Sequence, residues 1–425
     1  LGKKNTFALK GNIVFTETNK HFTAIKGGYI VCKDGIIVDV FRELSECFSN
    51  IEVIDFSDKI IIPGMADLHV HAPQFTYLGL GMDLELLPWL DTYAFKEEAK
   101  YSNEEYAYAA YERFCNTIKH SVTTHASIFA TLHVSGTNVL MDLLDRSGMY
   151  AYVGKVNMDR NSPDFLIEDT QASITDTESW VKDTSNKYER VKPIITPRFI
   201  PTCTDNLMFG LGEVASKYHT PVQSHLSEAR AEIVFVQSMY PDFQYEGKIY
   251  DKNHLFGQPT PSIMAHAIYE MEEELDLIEK NGVYIAHCPQ SNMNIRAGIA
   301  PIRKMIDRGI NVGLGSDIAG GFSISILRAI SDAIQVSKLY TVIFDENSKP
   351  LTLPEAFYMA TKGGGSFWGK TGSFEPGYEM NAVVLADAEY NQGYELSIEQ
   401  RLERIICLST DRDIVAKFIK GDRIL

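Results

Sequence analysis

The chain has 425 residues, 45% of them hydrophobic and 23% charged, which suits a folded protein with a large core and exceeds one small domain. Its formal net charge of −16 is spread along the chain, which repels polyphosphate and argues against a nucleic-acid polymer as partner. The 6 cysteines lie far apart with no CxxC pair, so neither a disulfide framework nor a thiolate zinc site is expected.

From Phe7 to Ile54 the chain reads as short strands, FALKGNIVFT and then GGYIVCKDGIIVDV, with Lys33-Asp34-Gly35 as a hairpin turn. The end reads alike, with NAVVLAD near Asn381 and IVAKFIKGDRIL at the terminus. The expectation is a small β-sandwich built from residues 1–58 and 371–425, flanking a central domain of residues 59–370. The stretch Leu1–Lys10 lacks the apolar core of a signal peptide, and no apolar run is long enough to cross a bilayer. A cytoplasmic setting is expected, with no membrane partner.

The central domain alternates apolar runs with amphipathic stretches such as YAAYERFCNTIKH and LMDLLDRSGMY, the pattern of a parallel sheet with crossover helices. Candidate strands end near His71, His125, Asn157, Arg198, His225, His266, His287 and Asp317. Eight such units predict a (β/α)₈ TIM-type barrel, whose chemistry sits at the C-terminal ends of its strands.

His69 and His71 lie two apart in PGMADLHVHA, so on a strand both imidazoles share one face. His225 ends VQSH, His266 ends SIMAH and Asp317 ends NVGLGSD. Several imidazoles with one carboxylate suit zinc or iron(II). With these residues in place, the chain resembles the amidohydrolase superfamily, and within it the mononuclear metal-dependent deaminase branch. PGMADLHVHA, QSHLSE, MAHAIY and GLGSDIAGG are similar to its motifs, and the likeness runs from about Phe7 to Leu425. It implies one divalent transition metal per chain, zinc first and iron second, held by His69, His71, His225 and Asp317. His266 would stand beside the reacting water. The binuclear branch needs a lysine at the end of the fourth strand; here PIITPRF ends in Arg198, and Lys192 precedes it.

Glu228 follows His225 by three residues, placing a carboxyl where it can carry protons during attack on a ring carbon. A glutamate in the first turn of a helix also satisfies the helix dipole. Asp317 would pass the water's proton to the departing amine, acting together with Glu228 and His266. The unrelated cytidine-type deaminases use HxE and PCxxC, which the chain lacks. His287, in AHCPQSN, is expected to hydrogen-bond behind the metal ligands.

The loop after His71, HAPQFTYLGLGMDLELLPWLDTYAFKEEA, resembles that of the guanine deaminase family, as do VGKVNMD, KPIITPRF and DIAGG. The resemblance implies hydrolysis of guanine to xanthine in purine catabolism, with a homodimer as the usual assembly. Arg198 would donate to the C6 carbonyl and Gln74 would read the neighbouring edge. Phe199 and Phe75 could stack on the purine, while Trp89 is expected to pack in a lid. His225 and His266 would border the substrate. The alternatives are another heterocyclic deaminase or chlorohydrolase of cytosine or triazine type, and a non-catalytic scaffold; the complete set of polar residues argues against the scaffold.

Overall fold

Both chain ends meet in one seven-stranded sheet in the computed structural model, which describes residues 6–390 and 393–425. Across the sheet run Asp422–Arg423, Ile414–Ile419, Ala382–Leu385, Glu52–Pro63, Phe7–Thr18, His21–Lys33 and Ile36–Phe41. Phe7–Thr18 pairs antiparallel with His21–Lys33 and parallel with Glu52–Pro63, which carries the sheet past residue 58. Ala382–Leu385 brings in the C-terminal part by antiparallel pairing with Glu52–Pro63.

The two turns foreseen in the sequence share one geometry. Asp34 and Gly35 have φ of 53° and 83°, and Lys420 and Gly421 have 50° and 80°. Two consecutive left-handed residues are what a type I′ turn requires. The tips also meet, since a Cβ on Gly35 would lie 2.5 Å from the Lys420 carbonyl oxygen. Only glycine fits at Gly35.

In the middle of this sheet strand alternation sorts buried side chains between its two faces. Ile13, Ile61, Val384 and Phe418 pack with Phe374 and Met380 in a separate core. Val14, Ile60, Ile62, Val383 and Leu385 face the main core. Lys417 joins the two halves. Its buried Nζ donates to the carbonyls of Ile118, Lys119 and Ser121, at 3.2, 3.1 and 3.1 Å, closing the end of the helix Glu104–Lys119. Burial holds the Lys417 ammonium well below its usual pKa.

The central part is mixed α/β. One four-stranded parallel sheet orders Met65–His71, Thr123–Phe129, Tyr150–Gly154 and Val191–Pro193. A second orders Val222–Leu226, Ser262–His266, Tyr284–His287 and Asn311–Leu314. A parallel bridge between Ile195 and Val222 links the sheets on one side. On the other, the Asp317 amide donates to the His69 carbonyl at 2.9 Å and the His71 amide to that of Ile318 at 3.2 Å. The amphipathic stretches form the helices Glu104–Lys119, capped by the Asn103 side chain, and Val134–Ser147, closed by a left-handed Gly148.

One strand end differs from expectation. Thr123–Phe129 runs four residues past His125, which sits near the strand's start, stacked on Tyr150 at 4.9 Å. The run continues through Ala126, Ser127 and Ile128, small or apolar residues that give no stop signal. Its true end, Phe129, packs edge-on against His69 at 4.9 Å. No helix among the described residues is long and apolar enough to cross a membrane.

Candidate active site

The C-terminal ends of the parallel strands converge on one buried cluster. His69 and His71 come from Met65–His71, His225 from Val222–Leu226 and His266 from the last position of Ser262–His266; Asp317 follows Leu314 by three residues. His71 Nε2 lies 3.2 Å from both His69 Nε2 and His225 Nε2. Asp317 Oδ1 lies 3.2 Å from His69 Nε2 and 3.5 Å from His71 Nε2. His266 Nε2 stands 3.4 Å from Glu228 Oε1 and 3.7 Å from Asp317 Oδ2. His266 and Asp317 carry left-handed φ of 76° and 44°, as does Ser227 at 45°. Such conformations cost energy in non-glycine residues and concentrate where function holds a side chain in place.

The outer nitrogens of two imidazoles are pinned. His225 Nδ1 donates to the Arg198 carbonyl at 2.6 Å, and His266 Nδ1 to Asn292 Oδ1 at 2.8 Å. Both rings therefore present a bare Nε2 to the cluster when neutral. Burial, reinforced by neighbouring imidazoles, holds His71 and His225 well below the usual histidine pKa. Burial lowers His266 to about 4. At Asp317 burial favours the neutral acid, but the His69, His266 and His71 imidazoles together outweigh it and keep the carboxylate well below its usual pKa. At Glu228 burial acts with the nearby Glu232 and Asp317 carboxyls, raising the pKa well above the usual glutamate value. The Glu232 side chain also accepts from the Glu228 amide at 2.9 Å, fixing the turn that carries it.

A cavity opens onto the cluster, and His71, His225, Glu228 and Asp317 are among its lining. Leu86, Trp89, Leu90, Phe199 and Ile295 supply apolar wall, and Gln74 and Arg198 supply polar groups. This mix of apolar wall with a few polar groups suits a small ligand. Arg198 is not a free cation. Both Nη atoms donate to the Glu98 carboxylate, Nη2 at 3.0 Å. Gln74 Nε2 donates to the same carboxylate at 3.0 Å, and Gln74 Oε1 accepts from the Ala319 amide at 2.9 Å.

Residues 60–424 match the Amidohydrolase family. The chain belongs to that family. Over 380 residues it is 37% identical to a guanine deaminase of Dictyostelium discoideum, spanning 88% of this chain and 84% of that one. It is 36% identical to a guanine deaminase of Homo sapiens over 89% of this chain and 86% of the relative. Among solved structures it resembles a guanine deaminase from C. acetobutylicum with guanine bound in the active site, with 47% identity and a TM-score of 0.96. That match covers 99% of this chain and 100% of the other.

In this amidohydrolase the residues singled out in the sequence divide into three groups. His69, His71, His225, His266, Asp317 and Glu228 come together around one point. Gln74, Arg198 and Phe199 reach the cavity, and Trp89 lines it too, its indole nitrogen donating to the Leu80 carbonyl at 3.4 Å. His266 is fully buried, with its Nε2 beside Glu228 and Asp317 in the cluster. Phe75 turns away and packs on Phe114 at 5.9 Å. His287 is also misplaced by the sequence reading. Ala286 and Cys288 point inward, so period-two alternation sends His287 outward, where both ring nitrogens are buried without a partner among the described residues.

Three supporting residues escaped sequence reading. Asp67 accepts from the amides of His69 and Ser316 at 3.2 and 3.0 Å and from the Ser316 hydroxyl, tying the first strand to the Asp317 loop. Burial pushes the Asp67 carboxyl up to about 6 against those hydrogen bonds. Asn292 orients His266, and Glu98 holds Arg198. The acid two residues before the first histidine was visible in the motif; the other two depend on contacts between distant segments.

The cluster fits a metal ion. Ligands at about 2.1 Å in a tetrahedron stand about 3.4 Å apart, close to the spacings among His69, His71, His225 and Asp317. The His266 Nε2 is buried with no hydrogen-bond partner among the described residues. His69, His71 and Asp317, and also His69, His225 and His266, can converge on a single ion.

Proposed function

We propose that the protein is a guanine deaminase, converting guanine and water to xanthine and ammonia. The observation that carries this reading is the 47% identity, over nearly the full chain, to a protein with guanine bound in its active site. The polar groups of the cavity agree with it. The reading includes closure of the two parallel sheets into a (β/α)₈ barrel, supported by the Ile195–Val222 bridge and the Asp317–His69 hydrogen bond. The curled seven-stranded sheet would be the second domain. One zinc ion per chain, held by His69, His71, His225 and Asp317, belongs to the same proposal, as does homodimer assembly.

When bound, a divalent metal lowers the pKa of a water molecule so that a strong nucleophile is present at neutral pH. The side chains do the rest. Arg198 and Gln74 hold the purine by its C6 carbonyl and adjoining edge. Glu228, whose acid form is favoured by burial, gives its proton to the ring nitrogen beside C2 as water adds to that carbon. Asp317, kept ionised, accepts one proton of the water and passes it to the amine, which leaves as ammonia, while the proton left on the C2 hydroxyl returns to Glu228 as the carbonyl forms. His266, fixed by Asn292, holds the attacking water in line. Leu86, Trp89, Phe199 and Ile295 exclude bulk solvent. A panel of guanine, adenine, cytosine and melamine tests the assignment by ammonia release: guanine should dominate, and a preference for any other member overturns it.

Arg198→Lys is expected to lower kcat/KM for guanine by about ten- to a hundredfold, since a point charge replaces a rigid fork of donors. 2-Aminopurine has no oxygen at C6 and should lose less. The ratio of the two substrates' kcat/KM is the informative measurement, and an unchanged ratio removes Arg198 as the carbonyl reader. Arg198→Ala is the poorer probe: it strands the buried Glu98 carboxylate, at a cost of roughly 3–5 kcal/mol of stability.

A further inference from the structure

We infer that Glu98 is a positioning residue that sets the specificity of the purine site, fixing Arg198 in one orientation and cancelling its charge. The inference rests on Arg198 being the reader of the C6 carbonyl. Glu98 and Arg198 are each only 2% exposed, and they come from segments a hundred residues apart. Glu98 ends the four-residue helix Phe95–Glu98, and Arg198 follows the strand Thr196–Pro197. A lone charge at this depth is strongly disfavoured, so the two form a unit.

The geometry constrains the guanidinium closely. Of its five N–H donors, two go to Glu98, and the Phe95 ring lies 5.2 Å from its central carbon. The remaining donors are what Arg198 can offer the cavity it lines. Gln74 is held by the same carboxylate, and its oxygen is engaged by Ala319, two residues beyond Asp317. One N–H and one lone pair remain to it. Glu98 therefore ties the donor that would read the carbonyl, the amide that would read the next edge and the Asp317 loop into one network.

Charge supplies the second role. Guanine is neutral, and a pair of net zero charge accepts it without favouring anions. Deamination replaces the C2 amine with a second carbonyl beside a ring N–H, an imide that ionises more readily than guanine. An uncompensated guanidinium would retain that anion. Glu98 keeps Arg198 from becoming a product trap.

The test compares Glu98→Gln, Glu98→Asp and Arg198→Lys in the metal-loaded enzyme. Metal content and Tm are measured alongside kcat/KM for guanine and 2-aminopurine and inhibition by xanthine. Glu98→Gln is expected to lower guanine kcat/KM by about ten- to a hundredfold and 2-aminopurine less. Xanthine should bind on the order of tenfold tighter, increasingly so as pH rises and more of it ionises. Glu98→Asp keeps the charge but shortens the reach, so the guanine preference should fall while xanthine inhibition stays near wild type. Equal losses on both purines with unchanged xanthine inhibition in Glu98→Gln overturn the inference. If that variant does not fold, Glu98→Asp decides: a retained guanine preference overturns the positioning role. Loss of the substrate ratio in Arg198→Lys with its retention in both Glu98 variants sinks this inference alone. Retention of the ratio in Arg198→Lys sinks the carbonyl reading beneath it.

Discussion

Glu228→Gln is expected to lower kcat by about 10²–10⁴-fold while metal content and KM stay near wild type. The reason lies in what the substitution leaves alone. Glu228 is 4% exposed, and its backbone amide remains tied to Glu232 whatever its side chain. Glutamine has the same shape and can hydrogen-bond to a ring nitrogen, but it cannot deliver a proton to one. Burial first, then the Glu232 and Asp317 carboxyls, raises the Glu228 pKa well above the usual value, which favours the protonated acid that the step uses. Removing a buried carboxyl from beside other acids should not weaken the fold, and Tm is expected to hold or rise. Steady-state kinetics with elemental analysis on the same preparation checks this. A kcat within a few-fold of wild type would take Glu228 out of the mechanism.

Loss of a ligand to the metal should have the other large effect. His71→Ala removes a nitrogen 3.2 Å from those of both His69 and His225, leaving an incomplete cluster. Metal content is expected to fall from one per chain towards zero, and kcat by on the order of 10⁴-fold or more, because the water loses its activating ion. Chelation of the wild-type enzyme should do the same, with activity restored by one equivalent of zinc. It should also lower Tm, since an ion bound only by the folded state stabilises that state. Restoration that requires two equivalents, both tightly held, would overturn the single-ion reading. Full activity in metal-free His71→Ala would overturn the role of the metal altogether.

Much of the candidate site could be read along the chain because it sits where local pattern is strongest. Parallel strands are short, apolar and sharply ended, so a polar residue at the end of an apolar run announces the end of a strand. His71, His225, His266 and Asp317 were legible for that reason, and His69 followed from period two. The same rule failed at His125, where small and apolar residues continue the strand to Phe129. At His287 it located the end of the strand Tyr284–His287, but alternation with Ala286 and Cys288 already separates the side chain from their cluster. The two KDG and KGD turns were legible because a type I′ turn restricts residue type directly.

By itself, the sequence determined the alternation of strands and helices, the positions of the titratable groups at strand ends and the two glycine turns. Each depends on residues within a few positions of one another. Tertiary structure alone decided that Arg198 is paired with Glu98, that Asn292 orients His266, and that Lys417 caps a helix from the opposite end of the chain. It also turned Phe75 into the core and left Phe199 at the cavity. These outcomes depend on which rim segments meet when the strands pack. Local periodicity carries no information about that, because a buried charge takes its partner from whatever segment packing brings within hydrogen-bonding reach.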